Sequence, residues 1–183
     1  MEKMVEKILF AGFGGQGILS VGKILADACV ENELQASWLP SYGPEMRGGT
    51  CNCLVVASND KILSPYFVEP TDAIIMNQAS LDRFIDDMGG AKMVVINTSL
   101  VDLTDEHRKK LENVKVIEVD ATNMAINLGN VKCANMIMLG AFAKYSNALD
   151  FDRIQKSVLN KFASKPKMVD LNKKALEEGY NVA

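Results

Sequence analysis

The hexapeptide GFGGQG at residues 12–17 constrains the fold more than any other feature, because it separates two apolar stretches of different periodicity. Residues 7–11 before it are almost continuously apolar, which is typical of a buried strand. Ile18–Glu31 after it carries apolar residues at helical spacing. Glycine allows the sharp turn that a strand needs before a helix packs back onto it. The order strand, glycine turn and helix predicts an α/β fold.

The rest of the chain continues this alternation of strand-like and helix-like stretches. Further strands are predicted at residues 35–39, 51–57, 73–76, 92–96 and 114–119, and residues 61–64 are a candidate extension of the third strand's hairpin. Helices are predicted at residues 79–88, 104–111, 122–128, 133–145, 152–162 and 169–179, with Thr104 as an N-cap. In 183 residues, this pattern predicts a single domain, 1–183, folded as a three-layer α/β/α Rossmann-like sandwich.

The connection between the second and third strands predicts a mixed sheet. It reads PSYGPEMRGGT, with two prolines and three glycines, so it should not be helical. Parallel strands need a crossover of a dozen or more residues, usually containing a helix. The third strand is therefore predicted to run antiparallel to the second. The first and second strands are expected to be neighbours.

The predicted helix at residues 133–145, CANMIMLGAFAKY, is apolar almost all round. A helix of this kind is buried on several sides. Two interpretations remain open from the sequence: the helix is enclosed by its own chain, or a partner subunit covers one of its sides.

Composition and cysteine usage exclude several classes of protein. A net charge of −3 supplies no basic face for nucleic acid. No apolar run approaches the roughly 18 residues of a membrane span, and the first residues lack a signal-peptide pattern, so a cytoplasmic protein is expected. Four scattered cysteines without a CxxC pair predict buried apolar roles and no iron–sulfur cluster or metal site. The one histidine, His107, lies in a charged run, DEHRKK, and is expected on a solvated helix face.

The glycine turn itself has three interpretations. Gly12, Gly14 and Gly17 have the G-x-G-x-x-G spacing of dinucleotide sites, between a strand and a helix. The acid that binds ribose should end the second strand, but no acid is found there, and Glu31 and Glu33 precede that strand. The turn therefore holds a different anion or a partner subunit, packs a helix on a strand, or, least in keeping with the sequence, binds NAD or FAD.

A second glycine loop, SYGPEMRGG at residues 41–49, combines Tyr42, Glu45 and Arg47 with glycines. Arg47 can clamp a phosphate or carboxylate, or it can pair with Glu45 on the surface. Both glycine loops follow strands and should emerge at one edge of the sheet, where open α/β sheets bind ligands. They are therefore expected to line one cleft.

Together, GFGGQGI and SYGPEMRGGTCNC resemble the gamma subunit of 2-oxoacid:ferredoxin oxidoreductases, and the resemblance extends over nearly the whole chain. It implies a complex that oxidatively decarboxylates a 2-oxoacid with coenzyme A, giving acyl-CoA, carbon dioxide and reduced ferredoxin. It also implies alpha, beta and delta-type partner subunits, which carry thiamine diphosphate, Mg²⁺ and [4Fe-4S] clusters. This chain would then be a scaffold and interface domain without a catalytic residue of its own.

The resemblance also indicates where coenzyme A or a partner would touch this chain. The candidate contacts, which come from the two glycine loops, are Gly12, Gly14, Gly15, Gln16, Gly17, Tyr42, Glu45, Arg47, Gly48 and Gly49. 2-Oxoglutarate is the preferred substrate, followed by pyruvate or a branched-chain 2-oxoacid. The alternative is a stand-alone nucleotide- or small-molecule-binding Rossmann-like module.

Overall fold

The computed structural model describes residues 3–42 and 49–183, and for Tyr42 it describes the backbone. Six strands are described: β1 Val5–Phe13, β2 Gln35–Tyr42, β3 Thr50–Ser58, β4 Asp72–Ile75, β5 Met93–Asn97 and β6 Lys115–Val119. Seven α-helices accompany them: α1 Ile18–Glu31, α2 Gln78–Phe84, α3 Asp105–Lys110, α4 Ala121–Asn127, α5 Ala134–Ala143, α6 Phe151–Phe162 and α7 Pro166–Val182. Short 3-10 helices, Ile85–Asp87 and Val131–Cys133, follow α2 and precede α5.

The six strands form one mixed sheet in the order β2-β3-β1-β4-β5-β6. β3 is antiparallel to both β2 and β1, whereas β4, β5 and β6 continue parallel to β1. The predicted antiparallel pairing of the second and third strands is confirmed. The prediction that the first two strands are neighbours is wrong, because the hairpin folds β3 back into the space between them.

Most predicted elements are present, with ends that differ by a few residues. The first helix has the predicted bounds, and Thr104 caps α3 by accepting a hydrogen bond from the backbone N–H of His107. The predicted helix at 79–88 is divided into α2 and a 3-10 turn. The candidate strand at 61–64 is wrong, since these residues form no strand. β3 offers them no free edge, because it already pairs with β1 on one side and β2 on the other.

Helices cover the sheet on two faces, which confirms the predicted sandwich. On one face, α1 and α5 pack over the sheet, and α6 and α7 pack outside them. On the other face, a smaller apolar cluster joins α2 to β1, β4 and β5. The helices that follow β1 and β4 therefore lie on opposite faces of the sheet.

The apolar helix α5 is enclosed by its own chain, since all ten of its residues are buried. One side of α5 faces the sheet, and α7 crosses the other side. A Cβ built at Gly140 would lie 2.9 Å from the backbone carbon of Leu176, and one at Gly179 would lie 2.6 Å from that of Ile137. The two helices thus touch backbone to backbone, and this contact decides between the two interpretations of α5 in favour of burial within the chain.

The second face is incompletely covered where β2 and β3 form their hairpin. A helix-free segment, residues 59–71, crosses it and leaves an apolar groove of about 360 Å³ beside Phe67. Four large apolar side chains are exposed around this region: Leu39, Leu63, Tyr66 and Val68. We call these four residues the hairpin face. A crossover helix would cover this area in a parallel sheet, and a hairpin supplies none.

A buried pair of acids ties together the amino ends of three strands. The Thr71 hydroxyl lies 3.0 Å from a Glu6 carboxylate oxygen and 2.8 Å from one of Asp72, and Lys92 pairs with Glu6 at 2.9 Å. Burial, with the adjacent Glu6 carboxylate, raises the pKa of Asp72 to about 7. Burial also opposes ionisation of Glu6, but hydrogen bonds from Asp72, Lys92 and Thr71 lower the pKa of Glu6 overall. Asp72 is therefore the acid of the pair that keeps its proton to the higher pH.

Among the helices of the described residues, none is long and apolar enough to cross a bilayer.

Candidate functional site

The glycine turn is built for close packing at its first glycine. A Cβ at Gly12 would lie 2.7 Å from the Gln16 side-chain oxygen and 2.8 Å from Ile18. Gly15 and Gly17 have φ angles of 101° and 75°, which side-chain-bearing residues rarely adopt. Gly17 is the N-cap of α1 and provides no side-chain cap. The turn thus needs glycine for space at one position and for conformation at two others.

Gln16 locks the turn internally. Its side-chain oxygen accepts hydrogen bonds from the Phe13 backbone N–H at 2.6 Å and from the Asn77 amide at 2.9 Å. Asn77 also caps α2 by accepting from the Ser80 N–H. The turn after β1 is therefore tied to the turn after β4. The sequence did not indicate Asn77, which has no motif of its own and is recognisable only from its position after a strand.

Asn135 lies directly against Gly17 from the first turn of α5, and a Cβ at Gly17 would overlap its amide nitrogen. Asn135 is 9% exposed, and its side chain makes no hydrogen bond within the described parts of the chain. Buried amides normally have a partner. Asn135 was not predicted, since it is a single polar residue in an otherwise apolar helix.

The second glycine loop meets the first at the same sheet edge. The Gly14 N–H donates to the Gly49 carbonyl at 3.0 Å, and Phe13 is paired with Thr50 across the strands. The two loops share an edge because β1 and β2 run in the same direction on either side of β3. Of the predicted contacts, Glu45, Arg47 and Gly48 lie outside the described residues, as does the Tyr42 side chain. Their roles stay predictions.

A cleft of about 430 Å³ opens where the two loops meet, and we call it the glycine cleft. Four of the predicted contacts line it: Gly14, Gly15, Gly17 and Gly49. Gln16 does not line it, and the buried Gly12 lies behind the turn. Residues that were not predicted complete the wall: Phe13, Ile18, Leu19, Ser20, Thr50 and Cys51. Thr50 and Cys51 could have been expected at the cleft, because they begin the strand that directly follows the second glycine loop.

The first turn of α1 gives the glycine cleft its polarity. Within the described residues, the N–H groups of Ile18, Leu19 and Ser20 have no hydrogen-bond partner, as expected at an uncapped helix start. The start of a helix of this length also carries a partial positive charge. The cleft therefore combines apolar walls with donors suited to an anion or a carbonyl oxygen.

The cysteines and His107 supply no redox or metal chemistry in the described structure. All four cysteines are free and buried, as predicted. Burial raises the pKa of Cys29 and of Cys53 to about 12 and that of Cys51 in the same direction. Across residues 3–42 and 49–183, no group of three or more His, Cys, Asp or Glu side chains converges as metal ligands. The expectation of a solvated His107 is only partly right, because its side chain is 16% exposed and closes the cap with Thr104.

The parts of a dinucleotide site are incomplete. Glu31 ends α1 and Glu33 lies in the turn that precedes β2. That turn is at the opposite end of β2 from the sheet edge that carries the glycine cleft. Neither acid can therefore reach a ribose bound at the glycine turn.

The fold and the two loops define a Rossmann-like module with a glycine cleft, and comparison with known proteins assigns its family. The chain belongs to the pyruvate ferredoxin/flavodoxin oxidoreductase family, whose model matches residues 7–182. This match confirms the resemblance seen in the two glycine loops.

Relatives with different substrates in their names are similar to this chain. It is 37% identical over 178 residues to ketoisovalerate oxidoreductase subunit VorA of Methanothermobacter marburgensis, covering 97% of this chain and 36% of that protein. It is 33% identical over 192 residues to 2-oxoglutarate synthase subunit KorC of Methanocaldococcus jannaschii, covering 99% and 95%. The crystal structure of pyruvate oxidoreductase subunit PORC from Thermotoga maritima superposes with a TM-score of 0.78 at 25% identity, covering 97% and 96%.

The chain thus spans about a third of VorA but nearly all of KorC. The same module occurs as a segment of a longer chain and as a separate subunit.

Proposed function

We propose that this chain is the gamma subunit of a 2-oxoacid:ferredoxin oxidoreductase. The complex would oxidatively decarboxylate a 2-oxoacid with coenzyme A, releasing acyl-CoA and carbon dioxide and reducing ferredoxin. The observation that carries this proposal is the family match over residues 7–182. The end-to-end similarity to KorC, itself named as a subunit, supports a role inside a complex.

For the substrate, we propose 2-oxoglutarate first, then pyruvate or a branched-chain 2-oxoacid. The nearly full-length similarity to a 2-oxoglutarate synthase subunit supports 2-oxoglutarate, and a nearly full-length similarity to a pyruvate synthase subunit supports pyruvate as the next candidate. The higher identity to a ketoisovalerate relative keeps the branched-chain acids in the series that an assay must include. The side chains that distinguish these acids belong, on this proposal, to the thiamine-binding subunits.

In this role the glycine cleft contacts coenzyme A. The free N–H groups at the start of α1 suit a phosphate or amide carbonyl, and the apolar walls at Phe13, Ile18 and Leu19 suit the aliphatic arm. Glu45 and Arg47 of the second loop, with Tyr42 and Gly48, are proposed to complete the contact.

Thiamine diphosphate, Mg²⁺ and [4Fe-4S] clusters are proposed to reside on partner subunits. The described residues do not fit them, since the cysteines are buried and no metal-ligating group is formed. This chain contributes binding surface and orientation, and the electron transfer to ferredoxin takes place through the complex.

The hairpin face is the proposed docking surface for an alpha, beta or delta-type subunit. Its exposed apolar side chains, of which Leu63 is 86% and Tyr66 64% exposed, would be shielded in an assembly. VorA carries this module within a chain about three times as long, and we propose that other segments of such a chain cover this face. A separate subunit needs a surface contact instead. We also propose that residues 1–183 form one domain that works in the cytoplasm.

Co-purification tests the assembly. Leu63→Glu should remove the partner subunits from affinity-purified complex, whereas Ile126→Glu, a matched change at an exposed apolar residue of α4, should retain them. Recovery of this chain as a partner-free monomer from its native host would contradict the proposal and favour a stand-alone binding module.

Steady-state kinetics test the cleft in the assembled enzyme. Arg47→Ala should raise the KM for coenzyme A, and Lys61→Gln, on an exposed lysine at the opposite end of the sheet, should leave it unchanged. Equal KM values for the Arg47→Ala variant and the unaltered complex would remove Arg47 from the contact.

A further inference from the structure

A second, smaller cleft lies on the other side of the glycine turn, and we call it the switch cleft. It has a volume of about 160 Å³. The lining residues come from the glycine turn, from the turns after β4 and β5, from the start of α4, and from the 3-10 helix before α5 together with the first residue of α5. They are Gly15, Gln16, Met76, Leu100, Thr122, Val131, Lys132 and Ala134. Gly15 also lines the glycine cleft, so the turn forms the ridge between the two.

The position of the switch cleft in the sheet is one that favours ligands. β1 and β4 are adjacent and parallel, and the helices that follow them lie on opposite faces of the sheet. The carboxyl ends of such strands leave a crevice between them, where open α/β sheets bind their ligands. The switch cleft occupies this crevice.

Three of the residues that line the switch cleft, Gln16, Thr122 and Lys132, carry a donor group with no acceptor among the described residues. The Gln16 oxygen is used inside the turn, which leaves its NH₂ group without a hydrogen bond among residues 3–42 and 49–183. The Thr122 hydroxyl accepts from Asn97, so its own proton is available to donate. The Lys132 ammonium makes no hydrogen bond or ion pair in the described structure.

Among residues 3–42 and 49–183, no acidic side chain lines the switch cleft to balance these donors. Asp120, the acid next to α4, is occupied by hydrogen bonds from the Ser99 hydroxyl at 2.5 Å and the Asn123 amide at 2.9 Å. The cleft therefore offers one positive charge and two neutral donors, of which Gln16 is fixed in place by Asn77. A small cavity with this donor set matches a phosphate group in size and charge.

We propose that the switch cleft binds a phosphate group, which Lys132, Gln16 and Thr122 hold by hydrogen bonds. Two sources supply this chemistry: free inorganic phosphate, or the 3′-phosphate of coenzyme A. In the second case the nucleotide end of coenzyme A crosses the Gly15 ridge while its arm follows the glycine cleft. That version rests on the proposed function, whereas the phosphate site itself does not.

Phosphate titration of the full-length chain tests the site. Inorganic phosphate should shift the NMR resonances of the Gln16 side-chain amide and the Thr122 backbone amide, with saturation. Lys132→Gln should weaken binding about tenfold, the loss expected for one charge-assisted hydrogen bond. Lys61→Gln is the matched control and should bind as the unaltered chain does. Absence of a saturable shift, or equal affinity in the Lys132→Gln chain, would overturn the proposal.

Coenzyme A and dephospho-coenzyme A separate the two sources. If the 3′-phosphate occupies the site, coenzyme A binds more tightly than dephospho-coenzyme A, and Lys132→Gln removes this difference. If the site serves free phosphate, both bind alike while inorganic phosphate still depends on Lys132. The complex could fail to reduce ferredoxin while the chain still binds phosphate. That result would refute the proposed function and support the phosphate site.

Discussion

The close crossing of α5 and α7 leads to a specific prediction about the stability of the folded protein. Gly140 and Gly179 face each other's helix so closely that an added methyl group meets backbone, which cannot move aside as a side chain can. We predict that Gly140→Ala and Gly179→Ala each destabilise the protein, although alanine is the better helix former at both positions.

The magnitude follows from the distances. The carbon atoms would approach to 2.9 Å at Gly140 and 2.6 Å at Gly179, whereas carbon atoms in contact lie about 3.5–4.0 Å apart. The helices must therefore separate by about 1 Å. Overpacking of this kind costs about 1–3 kcal/mol, at the upper end here because the sheet supports α5 from behind. After the gain of about 1 kcal/mol in helix propensity, we expect a loss of about 2 kcal/mol.

Thermal unfolding measured by circular dichroism provides the assay. A loss of about 2 kcal/mol lowers Tm by roughly 4–8 °C in a chain of this size. Gly90→Ala is the control, because no atom lies within 4 Å of its built Cβ, and it should shift Tm by little.

The double variant adds a test of mechanism. Once one substitution has separated the helices, the second meets less resistance, so the combined loss should be smaller than the sum of the two single losses. A Gly140→Ala variant as stable as the unaltered protein, or strictly additive losses, would refute a backbone-to-backbone crossing.

Three further predictions concern the buried acid pair and the glycine cleft. The folded state keeps the proton of Asp72 up to about pH 7, whereas the unfolded chain releases it near pH 3.8. Ionisation of Asp72 therefore lowers the stability of the folded state as the pH rises between these values. Asp72→Asn should stabilise the protein against urea relative to the unaltered chain, and by more at pH 8 than at pH 5. Gly17→Ala should destabilise the protein more than Gly15→Ala, because both have positive φ but only Gly17 is packed against Asn135, and equal Tm values would contradict this. In the assembled enzyme, coenzyme A should slow alkylation of Cys51, the one cysteine that lines the glycine cleft, as measured by mass spectrometry of the labelled peptide, and unchanged labelling would argue against coenzyme A in that cleft.

Local patterns were sufficient to predict most elements and the glycine cleft. The change from a continuous apolar run to helical spacing located β1 and α1, and the prolines and glycines of residues 40–50 excluded a crossover helix and so predicted the antiparallel hairpin. These features depend on neighbouring residues alone. The convergence of both loops at one edge was also correctly expected, since Gly14 and Gly49 are hydrogen-bonded.

Features that depend on distant residues were not predictable. The position of β3 between β1 and β2 is decided by pairing along nine residues of β1, which composition does not reveal. The enclosure of α5 requires α7, and the two glycines that let them touch have no local signature. The bond between Gln16 and Asn77 could not be predicted from the glycine motif, because the two residues are sixty-one positions apart.

The central claim is that this chain works as a non-catalytic subunit, and an omission experiment tests it most directly. The thiamine-binding and cluster-bearing subunits are combined with coenzyme A, ferredoxin and each of 2-oxoglutarate, pyruvate and 2-oxoisovalerate, with and without this chain. We predict ferredoxin reduction with one preferred acid when the chain is present, little or none when it is omitted, and none by the chain alone. Full activity without the chain, or turnover by the isolated polypeptide, would contradict the account.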